Sequence, residues 1–428
     1  MRKIFLIGWI LFLLCRCSDN KNKADQTLTI DEKYPASSLR QDYEQVIRIL
    51  KKNHPALYDF TKENEYERLI TLQSEKITDL TICNFYNILA PLLAEIGCGH
   101  SRVHLPDWIW KDTAATFLPL DLFFQNKRGY IIKNYSSNKE LGAGTEILSI
   151  NGKDIPTLLQ RIEECISTDG NNSSSKREVL NQSFTQLLAT YDGFPGKYDI
   201  SFRLFEKDSI QKLSVSSMRA HIYFDAQPKS DSLLQFEIDS PRSTAIITIK
   251  SFAFYDRLKH FKIFVDNCFN QIRHDKIDHV ILDLRDNGGG DPFCASYLMT
   301  YLSKKQIPYF SEPYQTYIEL AKPQPLSINH FSGKLYTLIN GNCFSTTGHL
   351  CALLKYHQVG EFIGTETGGT YTCNDNSQTF RLANTGILIK VARNTFNVAV
   401  EGIPRFKGIT PDYLSNDPFR IFLQVKTA

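Results

Sequence analysis

The stretch that decides the fold runs His279-Val280-Ile281-Leu282-Asp283-Leu284-Arg285-Asp286-Asn287-Gly288-Gly289-Gly290. Its first half is apolar at almost every position. A strand with one wet face alternates apolar and polar residues, so this unbroken run predicts a strand buried on both faces, as in a parallel sheet covered by helices. The three glycines after it let the backbone turn tightly and aim N–H groups outward, as an oxyanion or a phosphate requires. No Gly-Lys-Ser/Thr follows, which excludes a P-loop.

Working outward, Ala245-Ile246-Ile247-Thr248-Ile249 predicts a neighbouring strand, with a helix from Leu258 to about Arg273 between the two. Residues 293–303 read as the next helix, and Leu335-Tyr336-Thr337-Leu338-Ile339 as another core strand. Strands alternating with helices predict an α/β core over residues 232–420. The strand at 335–339 leads into Asn340-Gly341-Asn342-Cys343-Phe344-Ser345-Thr346-Thr347-Gly348-His349, which places Ser345 at the start of a helix reaching Leu354. A hydroxyl there ordinarily caps the helix. It can also attack a carbonyl while the first helical amides stabilise the developing charge.

Before the core, Tyr43, Val46, Ile47 and Leu50 recur at helical spacing, and the pattern stops before His54-Pro55. A second periodic stretch uses Ile82, Phe85, Leu89, Leu92, Leu93 and Ile96, then breaks at Gly97 and leads into Gly99-His100-Ser101. Residues 38–108 thus read as an N-terminal helical region. Over 115–225 the pattern changes to short strands and turns. Tyr130-Ile131-Ile132 and Glu146-Ile147-Leu148-Ser149-Ile150 flank a glycine-containing loop, Asn151-Gly152 marks a turn, and Leu158–Ile166 reads as a short helix. Gly142 to Lys153 resembles a PDZ domain. Thr168 to Lys176, with its Asn-Asn-Ser-Ser-Ser run, reads as a surface loop.

The chain has 428 residues, 42% hydrophobic and 22% charged, which excludes collagen-like and wholly disordered readings. The formal charge of +3 is accounted for by Arg2, Lys3 and Arg16, so the remainder is neutral and offers no electrostatic footprint for nucleic acid. Residues 1–17 read as a signal peptide: a basic start, an apolar run from Ile4 to Leu14, and then Cys15-Arg16-Cys17. Leu14 three residues before Cys17 resembles a bacterial lipobox, with Arg16 where a small residue is usual. This predicts export with acylation at Cys17 and a membrane anchor in the cell envelope, or a plain secretory signal and a periplasmic protein. Residues 18–37 read as a polar tether. The other eight cysteines are scattered without metal-ligand spacing, and buried free thiols are expected.

Four landmarks in order resemble the C-terminal processing peptidase and tricorn family of serine peptidases: Gly99-His100-Ser101, the PDZ-like stretch, Val280 to Gly290, and Phe344-Ser345-Thr346-Thr347-Gly348. Gly364-Thr365-Glu366-Thr367-Gly368-Gly369 and the segment from Glu401-Gly402 to Gly408-Ile409-Thr410-Pro411-Asp412 follow the pattern too. The resemblance implies a ClpP/crotonase-like α/β catalytic core. It also implies a peptide or polypeptide substrate, and chemistry that needs no metal or other cofactor. One branch of the family places a lysine where this chain has Thr370; the tricorn-like branch uses a histidine. His100 is then the implied base, Ser345 the nucleophile, Gly289 and Thr346 the oxyanion donors, and Glu401, 56 residues after Ser345, the supporting acid. Ser101 is a possible further support. The chain departs from the pattern at Cys98, where Asp is usual, and at Gly348, where Glu is usual.

Other residues compete for these roles. His349 lies four residues after Ser345 and could share its helix face, and Glu366 could replace Glu401. Cys343 reads as packing at a strand end. His100 and His104 have the spacing of a zinc pair but lack the glutamate between them. Two alternative functions stay open: a catalytically impaired peptide- or lipid-binding lipoprotein on the same fold, and a hydrolase of non-peptide esters or amides.

Overall fold

The computed structural model describes residues 29–112, 114–204, 209–227 and 232–415. The signal segment and Cys17 lie outside them. Among the described residues three helices come first: α1 (Ala36–Asn53), α2 (Glu63–Ser74) and α3 (Ile82–Ala94). The apolar faces of α1 and α3 are buried, including Leu39, Val46, Phe85, Leu89 and Leu92, all at 0% exposure. Strand β1 (Arg102–His104) follows.

The middle of the chain is an antiparallel sheet built from β2 (Leu120–Gln125), β3 (Arg128–Asn134), β4 (Glu146–Ile150), β5 (Lys197–Arg203) and β6 (Ile210–Ser216), in the order β6-β5-β4-β3-β2. Helices α4 (Ile155–Glu163) and α5 (Ser173–Asp192) are inserted between β4 and β5. This sheet is the β-rich part that the expected fold class includes.

One expectation fails here. The Asn-Ser run is not a surface loop but the start of α5, and Asp169, Asn172, Ser174 and Ser175 are buried. Polar composition misled because these side chains are satisfied internally. Asn172 Oδ1 accepts from Ser175 N–H (2.8 Å) as the helix cap, while its Nδ2 donates to Thr367 O (2.8 Å) in the core. The helix kinks at Ser183 and then covers the outer edge of β2. There Asn181 Oδ1 accepts from Phe124 N–H (2.7 Å) and Thr185 Oγ1 donates to Leu120 O (2.9 Å).

The core carries β7 (Leu234–Asp239), β8 (Thr244–Ile249), β9 (His279–Asp283), β10 (Lys334–Ile339), β11 (Glu361–Gly364) and β16 (Tyr413–Leu414), in the order β7-β8-β9-β10-β11-β16. All pairs from β8 onward are parallel; β7 joins antiparallel at one edge. Val280 is in register with Ala245 and Leu335, which sets the strand that precedes the glycine loop between its two neighbours. Helices α6 (Leu258–His274), α7 (Pro292–Leu302) and α8 (Thr346–Tyr356) are packed into the same apolar cluster as these strands. Between β11 and β16 lie β12 (Thr372–Asp375), β13 (Gln378–Arg381), β14 (Leu388–Val391) and β15 (Asn394–Asn397).

Two pairings in this last segment matter for the site. Strand β12 pairs with β15, and β14 pairs with both β13 and β1. The second pairing binds the N-terminal region to residues 378–391, so Ile389 and Val391 share a buried cluster with α1 and α3. Asp42 fixes the joint. It is fully buried on α1, and its two oxygens accept from the backbone N–H groups of Asn384 and Thr385 and from both their side chains, at 2.7–3.0 Å.

Removing this buried carboxylate leaves the Asn384 and Thr385 N–H groups and the Thr385 hydroxyl without their acceptor, while the Asn384 amide keeps Ser38 O (3.1 Å). Asp42→Ala should therefore cost about 3 kcal/mol or more. Thermal unfolding would show this as a clearly lowered Tm; an unchanged Tm would mean that the joint bears no load.

Candidate active site

Ser345 sits between β10 and α8 with φ +55° and ψ −125°, a region that side-chain-bearing residues rarely adopt. It occupies the helix N-cap position, yet its side chain makes no capping bond. The ordinary reading of this serine as a cap is thereby set aside, because the backbone turns the hydroxyl away from the helix. The turn is held from several sides. Phe344 N–H donates to Asn287 O (3.1 Å), Gly369 N–H to Cys343 O (2.8 Å), and Thr346 Oγ1 to Gly290 O (2.6 Å). Neighbouring glycines supply the room. A Cβ on Gly289 would lie 2.7 Å from Phe344 O and 2.8 Å from Ser345 Cβ, and one on Gly348 would lie 2.6 Å from the Gly369 backbone. That packing explains why a glycine stands at 348, where the resemblance leads one to expect glutamate.

His100 approaches from the N-terminal region and is 8% exposed. Its ring stacks on Phe344, with centroids 4.6 Å apart. Behind it, Asp169 Oδ1 accepts from Gly99 N–H (2.9 Å), and Arg102 Nε donates to Gly99 O. Burial pushes the Asp169 carboxyl up to about 7.

Strand β12 brings the other side chains. Alternation puts Cys373 and Asp375 on one face of it. Asp375 Oδ2 lies 3.6 Å from His100 Nε2, long for a hydrogen bond but close enough for charge attraction. Cys373 Sγ lies 3.6 Å from His100 Nδ1 and 3.8 Å from Ser345 Oγ. Among the described residues no hydrogen bond joins Ser345 directly to His100.

Burial holds the imidazole neutral, lowering its pKa to about 4; nearby Lys390 and Arg102 push the same way and Asp375 opposes them. The Asp375 carboxyl stays below its usual value. Burial would raise it, but His100 when protonated, the Lys390 charge and a hydrogen bond from Ser377 (3.0 Å) outweigh that. The Cys373 thiol is pushed well up by burial.

The structure thus brings Ser345, Thr346, Gly289 and His100 together. Gly289 N–H donates to Asn287 Oδ1 (2.9 Å), so that amide is already engaged. Glu401 is not brought in: it is exposed on the loop after β15, without a hydrogen bond or ion pair to His100. The carboxylate beside the imidazole is Asp375, which carries no motif of its own. Ser101 is fully buried and its Oγ accepts from Ala392 N–H (3.1 Å), so it ties β1 to the core instead of facing Ser345.

The competing residues also have places. His349 is 3% exposed against Tyr309 and Phe310, with both ring nitrogens unpartnered and its pKa pushed down by burial to about 3. Glu366 accepts from Gly408 N–H (2.9 Å), and Cys343 Sγ bonds to Leu284 O (3.0 Å). Cys83, Cys98, Cys165, Cys268, Cys294, Cys343, Cys351 and Cys373 are free thiols, all buried except half-buried Cys165.

Residues 243–415 match the family model described as peptidase family S41. Among solved structures, mature CPAF aligns over 89% of this chain and 92% of its own at 12% identity, with a TM-score of 0.61. The photosystem II D1 C-terminal processing protease covers 88% and 93% at 13% identity and a TM-score of 0.44. Tricorn protease covers 89% of this chain and 34% of its own at 16% identity and 0.33. The first of these shows a shared fold; the other two scores are too low to add to it. No curated protein matches the chain significantly. The family match spans the strand, glycine loop and serine turn just described, so the α/β core over residues 243–415 is similar to peptidase family S41, which supports a serine-type peptidase.

Proposed function

We propose that the protein is a serine endopeptidase that hydrolyses peptide bonds through an acyl-enzyme on Ser345, with His100 as general base. The observation that carries this reading is the strained Ser345 backbone. A serine at φ +55° that caps nothing is a conformation that costs about 1–3 kcal/mol, and it is supported here by contacts from two separate loops, Asn287–Gly290 and Gly369. Presenting a hydroxyl at a helix N-terminus is a use that accounts for such a cost.

In this mechanism Ser345 Oγ attacks the carbonyl carbon, and its proton ends on the neutral imidazole of His100. Asp375 takes the supporting role assigned to Glu401 on sequence grounds, holding the imidazolium by charge. The Thr346 amide, in the first turn of α8, is an oxyanion donor. Gly289 joins it when its N–H is shared with or released from Asn287. The imidazolium then protonates the leaving amine, and water hydrolyses the acyl-enzyme.

The substrate is a peptide or polypeptide. A PDZ-like module would take a peptide by strand addition, which meets an obstacle at β2, where α5 already bonds the free edge; a peptide adds there only by displacing α5. Export and a lipid anchor at Cys17 belong to the same proposal. They account for the basic start, the apolar leader and the Leu14-to-Cys17 spacing.

Two outcomes are expected. Ser345→Ala, compared with wild type on a proteome-derived peptide library with new termini mapped by mass spectrometry, should lose cleavage by about a thousandfold or more while keeping its Tm. Equal silence from both folded proteins would instead favour the binding-protein alternative. For pH, only neutral His100 accepts a proton, so activity falls as pH drops through its folded pKa. The acid limb of kcat/KM should lie near pH 4, not at the ~6.5 of an exposed histidine. Lys390→Met removes a charge that disfavours the imidazolium and should move the limb upward. A wild-type limb at or above ~6.5 would contradict a buried His100 as the titrating base.

A further inference from the structure

The thiol of Cys373 lies between the two groups that must exchange a proton. Its Sγ is 3.8 Å from Ser345 Oγ, 3.6 Å from His100 Nδ1 and 3.9 Å from His100 Nε2, all within the reach of sulfur hydrogen bonds. A thiol is both a weak donor and a weak acceptor. Asp375 Oδ2 faces Nε2, so the tautomer that fits carries its proton on Nε2 and leaves Nδ1 open toward the sulfur.

The thiol is also not free to swing aside. Its strand β12 is paired to β15 over all four residues. Thr370 Oγ1 donates to Thr372 O (2.6 Å), Thr395 Oγ1 to Asn374 Oδ1 (2.6 Å), and Cys98 Sγ bonds to Asn374 O (3.7 Å). Cys373 itself is 4% exposed. A sulfur held this firmly in the line of transfer must either carry the proton or forbid the reaction.

We infer that Cys373 is a catalytic residue of this peptidase, a relay through which the Ser345 proton reaches His100. The inference rests on the Ser345–His100 reading above. As Oγ bonds to the carbonyl carbon, its proton moves to Sγ while the thiol proton moves to Nδ1. The carbonyl π pair goes to the oxyanion, His100 becomes imidazolium, and Cys373 remains a neutral thiol. Collapse of the intermediate breaks the C–N bond, and a proton returns from the imidazolium by the reverse transfer to the leaving amine. No free thiolate forms, which suits a buried sulfur.

The test uses the full chain, with a peptide found to be cleaved by wild type, and four proteins: wild type, Ser345→Ala, Cys373→Ala and Cys373→Ser. The relay predicts that Cys373→Ala loses about tenfold or more in kcat with KM little changed, the scale of general acid–base assistance. Cys373→Ser, which keeps a hydroxyl donor and acceptor, should retain most of the rate. Rates across H2O–D2O mixtures should curve in wild type, from two protons in flight, and become linear in Cys373→Ala. That readout would not respond to a packing role, and the wild-type curve alone decides if a variant fails to fold. A linear wild-type plot, or undiminished kcat in Cys373→Ala while Ser345→Ala is inactive, overturns the relay and leaves the serine reading intact. Activity in Ser345→Ala that is lost in Cys373→Ser overturns both, by making the thiol the nucleophile.

Discussion

Everything in the site depends on one backbone conformation, the positive φ of Ser345 where β10 passes into α8. The strand enters buried, the helix leaves buried, and the single residue between them absorbs the change of direction. What permits it is the absence of side chains around it. A Cβ on Gly289 or Gly369 would meet atoms of this turn at 3.0 Å or less, and one on Gly348 would meet the Gly369 backbone at 2.6 Å. What holds it is a set of hydrogen bonds from the Asn287–Gly290 loop and from Gly369. Turn and glycine loop therefore form one packed unit, and the parallel register of β9 with β10 is what brings them face to face.

The proposed mechanism needs the Ser345 turn and His100, far apart in sequence, to meet. The gap between His100 and Ser345 in sequence is closed by β1 pairing with β14, by Asp42 gripping Asn384 and Thr385, and by Asp169 holding Gly99. The energetic logic is the same in the two carboxylate contacts: a buried acid whose donors come from a distant segment makes that segment costly to separate. Helix α5 adds a further brace, touching Thr367 in the core through Asn172 and β2 in the middle sheet through Asn181 and Thr185. Geometry at His100 is thus the joint product of all three parts of the chain.

Much of this was legible in the residues alone, and the exceptions have physical causes. The core strands announced themselves by their apolar runs, although full burial on both faces is not what the structure shows: Ile246, Ile281 and Leu338 are only half-buried, alternating with buried neighbours. The glycine loop announced itself because tight packing leaves no alternative residue. Ser345 and His100 were found through the motifs around them. Asp375 and Cys373 were not, since their proposed roles come from alternation on a four-residue strand whose position is set by pairing with β15. Nothing in Thr372-Cys373-Asn374-Asp375 marks it locally. Glu401 was chosen by spacing from Ser345, and spacing does not say that the loop after β15 leaves it in solvent. The buried start of α5 was misread because polar residues look exposed until their partners are known.

The central claim is that Ser345 Oγ is the attacking atom in a site where His100 takes up its proton. It is tested most directly by reacting the folded protein with a small fluorophosphonate and locating the adduct by peptide mass spectrometry. The account predicts a single phosphonyl group on Ser345, formed slowly or not at all when His100 is replaced by Ala. No adduct on the folded wild type, or an adduct on Cys373 with Ser345 untouched, would contradict it.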